Sequence, residues 1–449
     1  MERKHGEEHP GWHWGIFTAR IPFYHTRLHW PEFLQGVMVA TATALALVPI
    51  LVAYFGLSFE EAVAASFVHA MLLSTAYTLF GEPYAPGWIT PALPLVLAFV
   101  LKEYADPTER FQVMAAMSMN FAALVLLLGV TGLGRKLIQW VPDVLKAGII
   151  MGAAIAAFKQ VFVDDAPRFL LMQPISTAVA CGICLVLMFS IPVAKAKLKN
   201  RPLAMIASFG LLPGFLAAAI IGPLVGEVTY DIQWGWIWPP IGDMWAKASP
   251  LAIGWPSFEM FKAGLPLAIV AYILLFGDWV TGNALIRDAA ANRPDEKIDI
   301  NPTRSHISVG IRNAVMALVA PAFPTQGSLW TGVHVAVVQR WKEGRKSVDS
   351  LHSGIHSYNM MGLPFIFLLL PLITMMKPLM GIALSLTLIL TGFACAFVAM
   401  AIPKDATERG TVLLIAASLA LFSPWVGLSI AVLATLTMIG WSRSLEEID

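Results

Sequence analysis

Two apolar segments of this chain are too short to cross a membrane, and they hold equivalent places in its two halves. Apolar runs occur at 32–56, 59–80, 90–104, 111–131, 142–160, 173–193 and 204–222, and again at 262–287, 306–321, 330–341, 357–375, 378–401, 407–422 and 424–441. Most approach the roughly 20 residues that carry a helix across the hydrocarbon. The third of each set, 90–104 and 330–341, falls short at about 1.5 Å of rise per residue. Each follows a stretch of Gly, Pro and small polar residues. One is Gly81-Glu82-Pro83-Tyr84-Ala85-Pro86-Gly87-Trp88-Ile89-Thr90-Pro91; the other is Phe323-Pro324-Thr325-Gln326-Gly327-Ser328-Leu329-Trp330-Thr331-Gly332. Both fifth segments open at a proline, Pro142 and Pro378, and the first, third and fifth pairs start 230, 240 and 236 residues apart. A near-constant offset predicts an internal repeat. Paired, interrupted apolar segments are the sequence mark of a membrane transporter's binding site, because non-helical backbone survives at membrane depth only where protein or a watery cavity satisfies it.

The expected fold is an all-α polytopic membrane protein of about fourteen transmembrane segments, with short strands before the half-helices at the third and tenth places. Seven segments per half is an odd number, so the halves form an inverted 7+7 repeat. The expected divisions are 1–31 as a cytoplasmic N-terminal lead-in, 32–222 and 262–441 as the repeats, 223–261 as an external connection, and 442–449 as a cytoplasmic tail. Charged residues make up only 13% of the chain, about half the share in soluble domains. That is too few to coat a water-facing globule. A net charge of +1 gives no footprint for nucleic acid, and 3 cysteines make no disulfide scaffold. The expected partners are the lipid bilayer and a small-molecule solute. Of the 30 Lys and Arg residues, 21 fall on the side of the termini and 7 on the other, with Lys146 and Arg312 inside segments. The positive-inside rule then puts both termini in the cytoplasm; the expected location is the plasma membrane. The first 30 residues are polar and rich in His and Trp, unlike a cleavable signal peptide. Trp12, Trp14 and Trp30 suit the headgroup level. Trp234, Trp236, Trp238, Trp245 and Trp255 mark the external connection as an ordered cap, read equally as an aromatic belt or a substrate lid.

Asp278 is the strongest single signal. It lies deep in the eighth segment, where a carboxylate costs roughly 2.5–3.5 kcal/mol on insertion scales and so needs a partner or a task. Thr281 follows one turn on, on the same face. The pair is read as an ion-coupling site for H+ or Na+, against a structural hydrogen bond near the helix end. The two half-helices are the second signal, since each start exposes unpaired N–H groups and a positive dipole end. Trp88, Thr90, Gln326, Ser328, Trp330 and Thr331 are the candidate substrate-binding residues: hydroxyls and an amide for directional hydrogen bonds, indoles as flat faces for a planar ring. Capping by Thr and interface anchoring by Trp are the plainer readings. Asn283, Arg312 and His334 are candidate supporting residues. Arg312 is read as neutralising Asp278, holding an anion, or snorkelling at a helix end; His334 is read first as a packed histidine. His69 and Asn120 read as interhelical hydrogen-bond partners. Cys181 and Cys184 have redox-motif spacing but lie inside an apolar segment, where packing is the reading. His5, His9 and His13, and also His352 and His356, share helical spacing and read as solvated helix ends. No catalytic residue, metal site or cofactor is expected, and the chain carries no Walker A loop and no HExxH.

Four stretches carry a family resemblance: Ala44-Leu45-Ala46-Leu47-Val48-Pro49, Gly87-Trp88-Ile89-Thr90-Pro91, Val141-Pro142 and Val280-Thr281-Gly282-Asn283. Together with the segment order they resemble the uracil/xanthine permease (nucleobase–ascorbate transporter) family and its structural relatives, which include the sulfate permeases. The resemblance implies a core domain of segments one to four and eight to eleven moving against a gate domain of the rest, and a homodimer through the gate. Two positions depart from the permease pattern. Ile273 stands where the eighth-helix acid falls, and Thr331-Gly332 replaces the usual pair on the tenth. The stretch from Pro324 to Thr331 is more similar to the sulfate permeases. The expected function is an elevator-type, proton- or sodium-coupled symporter of a small planar solute such as a nucleobase. The alternative is a transporter of a small organic or inorganic anion; a passive channel and an intramembrane enzyme are the more distant classes.

Overall fold

The computed structural model describes residues 4–43, 46–134, 136, 140–167, 170–209, 211–359 and 367–441. Ala44 and Leu45 of the first quoted motif and the tail 442–449 lie outside the described residues. The helices are α1 (Trp30–Thr43), α2 (Leu47–Tyr54), α3 (Phe59–Thr78), α4 (Leu93–Glu103), α5 (Pro107–Thr131), α6 (Asp143–Lys159), α7 (Pro174–Phe189), α8 (Ile191–Lys197), α9 (Arg201–Ser208) and α10 (Leu212–Leu224) in the first half. The connection holds α11 (Ile241–Ala248) and α12 (Pro250–Ile253). The second half has α13 (Phe258–Ala290), α14 (Pro302–Val319), α15 (Thr331–Lys342), α16 (Leu351–Asn359), α17 (Leu370–Met376), α18 (Met380–Ala401), α19 (Ala406–Leu421) and α20 (Pro424–Met438).

Among the described residues four helices are long and apolar enough to span by themselves, and up to six when each bent pair counts as one span. The other segments are short, broken or studded with polar residues that neighbouring helices cover. The pair α7–α8 bends by 62° at Ser190-Ile191-Pro192, where a proline interrupts the apolar run. The eleventh segment is not one helix from 357. Its first helix begins at Leu351, and 360–366 lie outside the described residues.

Two packed groups emerge. In one, α5 lies against α13 and α14, α3 against α2, and α15 and α16 against α13, α3 and α1. In the other, α6 lies against α18 and α19, α7 against α10, and α19 against α20. Long helices of the first group open on a side chain that accepts from their own first turn: Ser58 on α3 (with Glu61, a capping box), Asp106 on α5, Ser257 on α13 and Asn301 on α14. Each such cap satisfies one of the orphan N–H groups that a helix start leaves.

The N-terminal segment is folded. β1 (Glu7–Glu8) pairs in parallel with β4 (Glu296–Lys297), and β2 (Trp12–Trp14) forms a hairpin with β3 (Phe17–Ala19). This arm seats on the ends of α3 and α16. The Arg20 N–H donates to the Thr78 carbonyl at 2.7 Å, and the Thr26 hydroxyl meets His356 Nδ1 at 2.9 Å. The reading of the histidines as solvated helix ends is therefore corrected. His5 sits in a turn and His13 in β2, His9 lies between β1 and β2 buried against the His25 carbonyl, and His352 and His356 lie buried under the arm. Cys184 donates to the Leu211 carbonyl at 3.4 Å, and Cys181 is buried beside it, both within helix packing.

Candidate functional site

The two unwound stretches cross. The Ile89 N–H donates to the Pro324 carbonyl at 3.0 Å, and the Trp330 N–H to the Ala85 carbonyl at 2.7 Å. These bonds replace the expected short strands, since 81–89 and 322–330 form no β-ladder. The crossing is tight because Gly87 and Gly327 meet there. A Cβ on Gly327 would stand 2.7 Å from the Gly87 carbonyl oxygen. From this crossing the half-helices α4, entered through a 3-10 turn at Thr90–Ala92, and α15 depart.

Neither half-helix start carries a side-chain cap, in contrast to the long helices of the same group. Thr90 leans toward the Trp88 carbonyl at 3.5 Å instead, and Thr331 is exposed. At the start of α15 the first-turn N–H groups therefore keep their positive partial charge toward whatever lies in front, whereas α4 presents the dipole end without them, since Pro91 and Pro94 have no N–H and the Ala92 N–H donates to the Ile89 carbonyl at 2.9 Å.

In front is a cavity of about 350 Å³ between the two helix groups. Trp88, Thr90, Trp330 and Thr331 line it, and so does Asp278. Within the described residues the Asp278 carboxyl has no hydrogen-bonding or oppositely charged partner. Cys395, Thr387 and Thr391 of α18 face the cavity from the opposite group. A bare carboxylate, two helix starts and the boundary between the helix groups thus converge on one space.

Several expected site residues stand elsewhere. Gln326 is fully buried, its amide donating to the His69 carbonyl at 3.3 Å, and Ser328 is buried beside the crossing; neither lines the cavity. Thr281 bonds back to the Gly277 carbonyl at 2.9 Å and does not line the cavity either. Arg312 neither reaches Asp278 nor snorkels. It is buried, and its Nη2 donates to the Gly327 carbonyl at 2.9 Å, while its neighbour Asn313 donates to the Gln326 carbonyl at 2.8 Å. Both clamp the unwound backbone ahead of α15. His334 is the packed histidine expected, accepting from the Ala85 N–H at 3.3 Å. Asn283 accepts from the Tyr84 hydroxyl, fixing the other unwound stretch to α13. His69 bridges to the Ala320 carbonyl at 2.8 Å and to the Thr325 hydroxyl at 2.6 Å, and Asn120 donates to the Phe261 carbonyl at 2.7 Å, so both link helices as read.

Cavity residues absent from the sequence reading include Ser66, Ser74, Tyr77 and Asn359. Among the described residues the buried Ser66 hydroxyl has no hydrogen-bond partner, an unused polar group at the cavity wall.

No family model and no curated protein matches the chain by sequence. Solved structures do match. The transmembrane domain of the cyanobacterial bicarbonate transporter BicA aligns over 91% of this chain and 99% of its own, at 15% identity and a TM-score of 0.53. The murine Slc26a9 anion transporter in the inward-facing state aligns over 93% of this chain and 69% of its own, at 15% identity and a TM-score of 0.50. A further SLC26A9 structure aligns over 90% and 64%, at 16% identity and a TM-score of 0.51. The chain is thus a multi-pass, all-α membrane protein with the 7+7 inverted-repeat fold of these transporters. The matched structures are those of anion transporters, and the nucleobase-permease resemblance finds no match among them; at 15–16% identity they establish the fold.

Proposed function

We propose that the chain is a secondary transporter of a small anion, symported with H+ or Na+, and that the two uncapped half-helix starts facing one cavity are its binding site. This is the alternative weighed from the sequence; the nucleobase reading gives way to it. A helix start favours an anion through its free N–H groups and dipole; here the α15 start offers both, and the α4 start, with Pro91 and Pro94 in its first turns, adds the dipole. The matched structures, one of them a bicarbonate transporter, support the same class. Trp88 and Trp330 then wall the site rather than stack on a ring.

Asp278 supplies the coupling. Two negative charges about 5 Å apart repel by about 3 kcal/mol at an effective dielectric of about 20. An anion entering beside a bare carboxylate meets that cost. A proton or sodium ion on Asp278 removes it, so anion and cation bind best together. The group of α1–α5 and α13–α16 would carry the site past the other group in an elevator step. We place both termini in the cytoplasm on the distribution of Lys and Arg, and the protein in the plasma membrane.

The test is a thermal-shift and proteoliposome-uptake panel of bicarbonate, sulfate, chloride, small carboxylates and uracil, each with and without sodium. An anion that raises the melting temperature and accumulates is expected, since a ligand stabilises only by preferring the folded state. Stabilisation and uptake by uracil alone would return the nucleobase reading.

A further inference from the structure

The N-terminal hairpin has two unlike faces. Side chains alternate along a strand, so Trp12 and Trp14 share one face of β2 and His13 takes the other. On that other face His13, itself exposed, meets the hydroxyl of the buried Thr18 at 3.1 Å. Behind it the Arg20 guanidinium donates to the His9 carbonyl at 3.0 and 3.2 Å. The indole face turns outward. Trp12 is 51% and Trp14 48% exposed, and the Tyr24 ring leans on Trp12 with centroids 5.6 Å apart.

The height of this face follows from α3. The Trp14 indole N–H donates at 3.0 Å to the carbonyl of Leu79, which directly follows the last residue of α3. α3 has 20 residues, about 30 Å of helix, which is the thickness of the hydrocarbon layer. As the second segment of the 7+7 fold, α3 sets its end at the headgroup level of one leaflet. Leu79 is itself exposed, so the hairpin's indoles continue an outward apolar surface at that level. Trp30, exposed on the first turn of α1, adds a third indole to the same arm.

Phe23 carries the second argument. It has φ +66°, a left-handed backbone that a bulky side chain adopts at a cost, and its ring is 72% exposed. Intramolecular packing returns little for that geometry. An apolar ring held outward beside Tyr24 calls for a contact outside the chain.

We propose that the aromatic face formed by Trp12, Trp14, Phe23 and Tyr24 is a lipid anchor, seated in the headgroup layer of the adjoining leaflet. Tyr and Trp rings prefer this layer because one part is apolar and the other hydrogen-bonds. The anchor fixes the arm, and through the Arg20–Thr78 and Thr26–His356 bonds the ends of α3 and α16, at the membrane surface. This does not depend on which solute is carried.

The test uses the full chain in phosphatidylcholine–phosphatidylglycerol nanodiscs, with Cys181, Cys184 and Cys395 replaced by alanine. Bimane is attached at Phe23→Cys or, as a reference on the arm's polar edge, at Glu7→Cys. Lipids spin-labelled near the headgroup should remove most of the emission from the Phe23 position and little from Glu7, and aqueous iodide should do the reverse. Iodide quenching both positions alike, with no effect of the labelled lipid at Phe23, would overturn the proposal. So would protection from both quenchers that is lost on dilution to one chain per disc, which would mean a second copy covers the face. Tyr24→Cys gives an independent reading should Phe23→Cys not fold.

Discussion

A methyl group added to Gly87 would stand 2.7 Å from Trp330 Cβ and 2.9 Å from its Cα. No real pair of such atoms comes this close, so Gly87→Ala must push the two unwound stretches apart. The Trp330–Ala85 hydrogen bond breaks first, and the two half-helix starts separate. A displacement near 1 Å at a binding constellation costs about 100-fold in rate. Gly87→Ala is expected to lose uptake on that scale, with stability lowered by about 1–3 kcal/mol. Uptake and size-exclusion of the purified variant check this; full uptake would mean the crossing does not set the site.

Among the described residues Asp278 has no partner in its cavity, so its neutralisation leaves no orphaned charge behind. Asp278→Asn should therefore fold and keep anion binding, while uptake stops responding to sodium and proton gradients. The measurement is uptake at several external pH values, with and without sodium. Unchanged pH and sodium dependence with full uptake would remove the coupling role. Asp278→Glu, which keeps the charge, should retain part of the response.

Much of this organisation is written locally. The short segments, the Gly–Pro stretches before them and the buried aspartate all follow from spacing and composition, and each has its place in the structure. The side of the site each residue faces is not written that way. Thr325 and Gln326 are neighbours, yet both reach His69, so the stretch lacks strand alternation and a period-two reading misplaces Gln326 and Ser328. Arg312 turns to a carbonyl whose direction depends on an unwound backbone, which side-chain spacing cannot report. The missed cavity residues had a different cover. Ser74 bonds back to Ala70 at 2.9 Å and Thr387 to Ala383 at 2.8 Å, the local habit of hydroxyls in any apolar helix. The His5–His13 reading failed because a helical period was read into a segment of turn and strands, whereas His352 and His356 do lie on a helix, α16, but are buried under the arm.

Tyr54, at the end of α2, donates its hydroxyl to Asp165, which follows α6 and also accepts from Gln160. This bond joins the two helix groups beside a second cavity of about 610 Å³ lined by the C-terminal end of α4. Losing it should cost the closed arrangement of that side about 1 kcal/mol, a shift of about five-fold. Tyr54→Phe, in a chain whose native cysteines are replaced and with Gly332→Cys as reporter in the main cavity, should be labelled several-fold faster by an impermeant thiol reagent added on that side. Equal labelling of Tyr54→Phe and its parent would show that the bond does not hold the groups together.

The helix start of α7 is capped from a distance. The Glu227 carboxylate accepts from the Ile175 N–H at 2.9 Å and the Ser176 N–H at 2.8 Å. Partial burial works to raise the Glu227 pKa, but the hydrogen bonds from Ser176 and Ile175 outweigh it and hold it below the ordinary 4.5. A depressed pKa in the folded state means that the stabilisation is present above the unfolded value and is lost as pH falls through the folded one. Glu227→Gln removes the charge but keeps the shape, so at neutral pH it should cost about 1 kcal/mol, as caps do. As pH drops below 4.5 the native side chain takes up its own proton, and the two proteins should converge. Melting curves of both from neutral to acid pH measure the gap; a gap that stays constant would place the Glu227 contribution in packing rather than in its charge.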